Sequence, residues 1–162
     1  MRRTVFCTVG TSLKGSWERK YPGQQSGTDE WIQLLREDEK CCAEKASLEL
    51  LALDPPQEHL AFLSSDTEDG SQCAAALASY YQERGIPDST VFRVPGLRGN
   101  FNEFQGSGLP NLIQKMASVY QQYPGMRFII NATGGYKAQT AYATLFGILM
   151  GIEVVYLHED FR

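Results

Sequence analysis

Hydrophobic residues come along this chain in two rhythms, and the alternation between them predicts the fold. Thr4 to Val9 (TVFCTV) is short and apolar on both faces, which predicts a buried strand. His59 to Ser64 (HLAFLS), Thr90 to Val94, and Phe128-Ile129-Ile130 reaching Asn131 predict three more strands, and Glu153 to Leu157 a fifth. Between these runs the apolar positions spread out to helical spacing. Thr28, followed by Asp29 and Glu30, is a candidate N-cap for helical segments running to about Leu53, where Asp54-Pro55-Pro56 stops them. Three further helices are predicted: Glu68 to Arg84 closed by Gly85, Leu109 to Tyr123 closed by Pro124-Gly125, and Tyr136 to Met150. Two stretches read as loops, Lys14 to Gly27, polar and rich in Gly and Ser, and Pro95 to Gly108.

Strands that read as unbroken apolar runs, each followed by a helix, mean a parallel sheet covered on both faces. The expected architecture is α/β: a Rossmann-like, doubly wound, mainly parallel sheet of about five or six strands in the order 3-2-1-4-5. No internal repeat or low-complexity segment divides the chain, so one domain spanning residues 1–162 is expected. Ala138 to Leu157 is the most apolar stretch, but Gly147, Gly151 and Glu153 interrupt it and its second half is β-branched. A buried helix and then a strand are predicted there, not a membrane span. The sequence stops at Arg162, shortly after the fifth strand, which leaves open a protein that ends there or one that continues into a second domain.

Composition narrows the partners. A net charge of −4 means that the surface as a whole does not attract duplex nucleic acid, so a phosphate ligand has to be held by a local site. Cys7, Cys41, Cys42 and Cys73 match no zinc spacing, and the adjacent pair suits no disulfide framework; free thiols in a reducing compartment are expected. Met1-Arg2-Arg3 leads straight into the first strand with no secretory leader, and a cytoplasmic protein without a membrane partner is the expectation.

Two turns carry the candidate chemistry. The first strand ends in Gly10-Thr11-Ser12-Leu13 and the fourth in Asn131-Ala132-Thr133-Gly134-Gly135-Tyr136-Lys137. In a doubly wound sheet ligands bind beyond the carboxyl ends of the strands, where the strand order reverses. For the order 3-2-1-4-5 that point lies between strands one and four, so the two turns are expected to face each other across one crevice. Glycines let the backbone approach a ligand, and a helix N-terminus offers unpaired N–H groups to an anion. Thr11, Ser12, Asn131 and Thr133 add hydrogen-bonding side chains, and Lys137 is the only cation in either turn. No acidic cluster lies there, so no metal centre is expected, and neither His59 nor His158 is near; no strong general base is visible. The dinucleotide pattern Gly-x-Gly-x-x-Gly is absent, and Gly134-Gly135-Tyr136-Lys137 lacks P-loop spacing. The loop after the third strand carries Arg98, Asn100, Phe101, Glu103 and Phe104. Arginine planes and aromatic faces suit stacking on a base, the alternative being that the two phenylalanines tuck the loop onto the core.

These turns, the closing Tyr156-Leu157-His158-Glu159, and between them Gly96-Leu97, Phe104 and Gly108-Leu109-Pro110-Asn111-Leu112, resemble the CARF family, the CRISPR-associated Rossmann-fold domains of type III CRISPR systems. The resemblance spans the whole chain. It implies a two-fold homodimer that binds a cyclic oligoadenylate second messenger, foremost cyclic tetra-adenylate, across the dimer axis. Both turns would touch the ring, through Gly10, Thr11, Ser12 and Leu13 from the first and Asn131, Thr133, Gly134, Gly135, Tyr136, Lys137 and Gln139 from the second. Some members, the ring nucleases, also cleave the messenger without a metal or other cofactor, and the resemblance gives that reaction to Ser12 and Lys137. The other outcome is a non-catalytic sensor domain of a larger effector. The Gly- and Gln-rich insert Gly15 to Gly27 departs from the family pattern and is expected to cover the site or to be disordered. Ala138, Ala141, Ala143, Thr144 and Gly147 are small enough for close packing of the last helix, in a dimer or on the sheet.

Overall fold

Thr4 to Val9 and Glu58 to Ser64 are buried at every position, and a strand covered on both faces belongs inside a sheet with helices above and below. The computed structural model, which describes residues 2–158 and 160, puts them there. Strands β1 (Arg3–Val9), β2 (Glu58–Ser64), β3 (Ser89–Arg93), β4 (Arg127–Asn131) and β5 (Glu153–Val155) are all parallel, in the order β3-β2-β1-β4-β5. Helices α1 (Ser12–Lys20), α2 (Thr28–Glu37), α3 (Ala43–Glu49), α4 (Glu68–Glu83), α5 (Phe101–Glu103), α6 (Leu109–Gln122) and α7 (Lys137–Met150) connect them. The Rossmann-like sheet and its strand order are as expected.

Alternate side chains of β1 feed two cores. Val5, Cys7 and Val9, with Leu60 and Phe62, meet Trp31, Leu35, Leu48, Leu77 and Tyr81 from α2, α3 and α4. On the other face Phe6, Leu63 and Ile130 meet Leu112, Met116, Ala143 and Phe146 from α6 and α7. The register then positions the site. Cys7 pairs with Asn131, the last residue of β4, while Val9 pairs with Ser64. β1 therefore runs on past the end of β4, and the turn leaving β4 folds beside Thr8, whose Oγ1 donates to the Gly134 carbonyl at 2.6 Å.

Four local expectations change. Lys14 to Gly27 is not a loop throughout, because Leu13 and Trp17 lie one helical turn apart and are both buried, with Trp17 against Tyr21 at a ring separation of 4.3 Å. Two large side chains on one face outweigh Gly15 and the polar residues around it. The insert Gly15 to Gly27 is thus helical to Lys20, and that half packs on the core. The helical run from Thr28 divides into α2 and α3 and ends at Glu49, and the cap of α2 is Gly27, whose N–H donates to Glu30 at 2.9 Å. Pro95 to Gly108 ends in α5 and a wide π-type turn, Phe104–Gly108, which runs into α6. Gly108 seats that turn on the loop: a Cβ there would meet the Gly96 carbonyl oxygen at 2.5 Å. β5 stops at Val155, since the Leu157 N–H donates instead to Thr133 Oγ1 at 3.0 Å. Met1, Glu159, Phe161 and Arg162 lie outside the described residues.

Candidate functional site

The two turns do meet, and they meet in contact rather than across an open crevice. A Cβ on Gly10 would lie 2.8 Å from the Gly135 nitrogen, and one on Gly134 would lie 2.6 Å from the Thr8 carbonyl oxygen. Both glycines are therefore required by close approach of one backbone to the other. Gly135, at φ 90°, turns the chain toward α7.

Beneath the contact sits a side chain that the turns themselves do not supply. Glu44, the second residue of α3, is 1% exposed. Its Oε1 accepts from the Gly10 N–H at 2.9 Å and its Oε2 from the Ser12 hydroxyl at 2.9 Å. Ser12 Oγ in turn accepts the Ala43 N–H at 3.1 Å. No lysine or arginine among the described residues forms an ion pair with this carboxylate. The turns themselves carry no acidic cluster, but a single carboxylate that the sequence reading did not place there arrives from a distant helix. The cue in the sequence is faint. Glu44 stands four residues before Leu48, which puts a carboxylate on the apolar stripe of its helix.

α3 is fastened in place from both sides. Lys45 is 2% exposed and donates to the carbonyls of Leu35 at 2.7 Å and Asp38 at 3.0 Å. Ser47 Oγ accepts from Asn131 Nδ2 at 2.7 Å, and Asn131 Oδ1 accepts from the Thr133 hydroxyl at 2.7 Å. Asn131 and Thr133 thus tie the β4 turn to α3 from below. The four cysteines are free and buried; burial first, and then the charge of Glu44, hold the Cys7 thiol well above its ordinary range.

The β4 side presents a different surface. Tyr136 and Lys137 are exposed at the start of α7, and Lys137 has no hydrogen bond or ion pair among the described residues. Gln139 is fully buried, its Oε1 accepting from the Tyr136 N–H at 3.3 Å and its Nε2 donating to the Leu63 carbonyl at 3.1 Å. The loop after β3 reaches the same place. Phe104 packs edge-on to Tyr136 with ring centroids 5.2 Å apart. Arg98, Gly99, Phe101, Phe104 and Tyr136 line a shallow cleft of about 260 Å³. Phe101 is 74% exposed, so of the two phenylalanines only Phe104 tucks inward. Arg98 pairs with Glu103, and Asn100 Oδ1 accepts the Glu103 N–H at 3.3 Å. Asp66 anchors the loop by accepting the Gly96 N–H at 2.9 Å and Arg93 Nε at 2.7 Å, and these two bonds, in that order, hold its carboxyl below the usual range.

The residues expected at the site therefore divide into two sets. Gly10, Thr11, Ser12, Gly135, Tyr136, Lys137, Arg98, Asn100 and Phe101 reach its surface to some extent. Leu13, Asn131, Thr133, Gly134 and Gln139 lie below it and set its shape.

Comparison with known proteins finds a matching family and a matching fold. A family model described as "CRISPR-associated protein (Cas_APE2256)" matches residues 39–162, a span that holds Glu44 and the β4 turn but begins after Ser12. No curated protein matches the sequence. Among solved structures, "Enterococcus italicus Csm6 bound to cyclic hexa-2'-fluoro-hexa-dAMP" matches all of this chain (100%) with a TM-score of 0.52 at 10% sequence identity. The chain spans 35% of the length of that protein, and the likeness is one of fold.

Proposed function

Because this chain belongs to the CARF-type, CRISPR-associated family Cas_APE2256, we propose that it binds a cyclic oligoadenylate, foremost cyclic tetra-adenylate, and cleaves it as a metal-independent ring nuclease of cytoplasmic antiviral signalling. The observation that carries this reading is Lys137, a cation without a partner among the described residues, at the start of α7 on the turn that touches Gly10. A phosphate over that turn meets the lysine charge and the first N–H groups of the helix. Adenine stacks in the cleft beside it, on Phe101 and Tyr136.

Cleavage would proceed by attack of a ribose 2′-oxygen on its own 3′-phosphorus. The 2′-hydroxyl gives up its proton, the bond from phosphorus to the 5′-oxygen breaks, and that oxygen takes up a proton. The product is linear, with a 2′,3′-cyclic phosphate at one end and a 5′-hydroxyl at the other. Ser12 orients the ribose, which is a matter of positioning, and Lys137 stabilises charge growing on the phosphate.

A homodimer fits a ring with two-fold symmetry. The reading is supported by the outer face of α7, where Tyr142, Leu145, Ile148 and Leu149 are exposed, the last two at 70% and 74%. Ala143 and Gly147 face the sheet instead. Leu149→Glu is expected to shift the species seen by light scattering at micromolar concentration from dimer to monomer; a wild type that is already monomeric with ligand present removes the dimer.

A sensor that holds the ring without cutting it is the second reading. It is favoured by the closure of the first turn, whose Gly10 N–H and Ser12 proton are both engaged by Glu44. Incubation with cyclic tetra-adenylate in the presence of EDTA, followed by mass spectrometry, separates the two. Linear products ending in a cyclic phosphate are expected. A ring that stays intact wherever the chain stays folded leaves the sensor, and a ring that does not bind removes both.

A further inference from the structure

The Ser12 hydroxyl has one proton, and Glu44 takes it. Oε1 of Glu44 accepts the Gly10 N–H, and Oε2 accepts the hydrogen bond that the serine hydroxyl donates at 2.9 Å. One lone pair of Ser12 Oγ accepts the Ala43 N–H. What Ser12, half-buried at the mouth of the turn, can still offer outward is a single lone pair. Phosphate oxygens and carbonyls are acceptors and have nothing to give it. Resting on the cyclic-oligoadenylate reading, we infer that Glu44 makes Ser12 a hydrogen-bond acceptor toward the ligand, one that reads a donor of the ring rather than a phosphate oxygen.

Two features make the arrangement hold. Glu44 is 1% exposed and carried on a helix fastened by Lys45 and Ser47, so the carboxylate does not swing aside to free the turn. It also denies a phosphate the Gly10 N–H, and its negative charge lies directly below. The phosphates of the ring then fall to the Lys137 side. A cyclic oligoadenylate has two kinds of donor for Ser12: the ribose 2′-hydroxyl and the adenine amino group. The solved Csm6 complex holds a ring with fluorine at the 2′ position, which cannot donate. Where the donor is the 2′-hydroxyl, discrimination against such a ring is a property expected of the Glu44–Ser12 pair in this chain, not of the fold.

Glu44→Gln turns the prediction around without changing the shape. The Gly10 N–H needs an acceptor, so the amide oxygen faces it and the amide nitrogen faces Ser12 as a donor. The serine proton is then released outward, and the turn offers a donor to the ligand. The test is calorimetric titration of the full chain with three rings: cyclic tetra-adenylate, its 2′-fluoro counterpart, which lacks the sugar donor, and the cyclic tetramer of purine riboside phosphate, whose base lacks the amino donor. The wild type is expected to bind one of the two analogues about tenfold or more weakly, and that analogue identifies the donor. In Glu44→Gln the penalty is expected to vanish or reverse, with thermal melting showing that the variant is folded. Ser12→Ala, which removes the hydroxyl altogether, is expected to abolish the same discrimination and serves where Glu44→Gln does not fold.

Three results overturn the inference: a wild type that binds all three rings alike, a folded Glu44→Gln that keeps the wild-type ratio, or a Ser12→Ala that still discriminates. A folded wild type that binds none of the rings overturns the cyclic-oligoadenylate reading as well, and is told apart by that result.

Discussion

The turns after β1 and β4 have similar compositions and opposite states. The first has the Gly10 N–H and the Ser12 hydroxyl proton engaged by a buried carboxylate; the second carries a lysine that has no partner among the described residues, at the start of a long helix. Glycine, hydroxyl and helix start are common to both, so those features alone do not make an anion site. What decides is whether a donor is still unpaired once the rest of the chain has folded around it. A buried carboxylate three elements away binds two donors of the first turn, while at the second it packs against Gly134 and leaves Lys137 free of it.

The contrast can be broken in order of expected effect. Lys137→Ala removes the free cation of the open turn, and the single-turnover cleavage rate should fall by about 100-fold or more, with affinity also reduced. Its melting temperature should stay within a degree or so of wild type, because Lys137 is exposed and unpaired. Ser12→Ala should keep affinity for cyclic tetra-adenylate within about tenfold while losing more than that in rate. It should also be less stable by roughly 1–3 kcal/mol, because the buried Glu44 loses one of its two donors, a loss that urea unfolding would measure. A Ser12→Ala protein of unchanged stability would mean that the carboxylate has found another partner and that the first turn is not held closed.

Phe101→Ala tests the side of the site that the open turn shares with the β3 loop. Stacking of a base is worth about 1–3 kcal/mol, so affinity should drop between about fivefold and a hundredfold, and melting should not change for a side chain 74% exposed. The smallest effect is set by pH. Asp66 has its carboxyl lowered by the Gly96 N–H and then by Arg93, so its contribution to stability is present above the ordinary carboxylate range and is lost as pH falls through its depressed folded value. Asp66→Asn should therefore flatten part of the acid limb of melting temperature against pH and leave the limb above neutrality alone. A variant whose acid limb matches wild type would show that the loop is not tethered through this residue.

Much of the fold was legible because its strands obey a local rule. Residues such as Phe6, Leu63 and Ile130 sit in runs buried on both faces, and the helices between them begin and end at residues of known preference, as with Gly85 at φ 88° and Gly151 at φ 65°. The strand order then brought Gly10 and Gly135 together correctly. The misses are of a different kind. α1 is carried by only two apolar side chains, Leu13 and Trp17, in a polar stretch where each reads as incidental. Glu44 and Lys45 look like an exposed charged step on a helix, yet they are 1% and 2% exposed. Their burial depends on where α3 lands against β4, a tertiary fact with only a faint local trace in the spacing of Glu44 to Leu48. Gln139 looked available to a ligand for the same reason, and the structure commits both ends of its amide.

The pairing of β1 with β4 has a consequence for the life of the chain before it is finished. Arg3 pairs with Arg127 and Cys7 with Asn131, so β1 leaves the ribosome about 120 residues before the strand that covers that edge. Until then its other partner, β2, can form, and β1 stands as an open parallel edge with Phe6 unpacked on Phe128, its eventual neighbour at 5.6 Å. Folding should be slow for a domain of this size, because that pairing joins strands distant in sequence. Synthesis therefore has a vulnerable interval, in which nascent chains are prone to join edge to edge. That interval closes at the same step that brings the two turns together, so a chain still at risk of misassembly cannot yet hold a ligand.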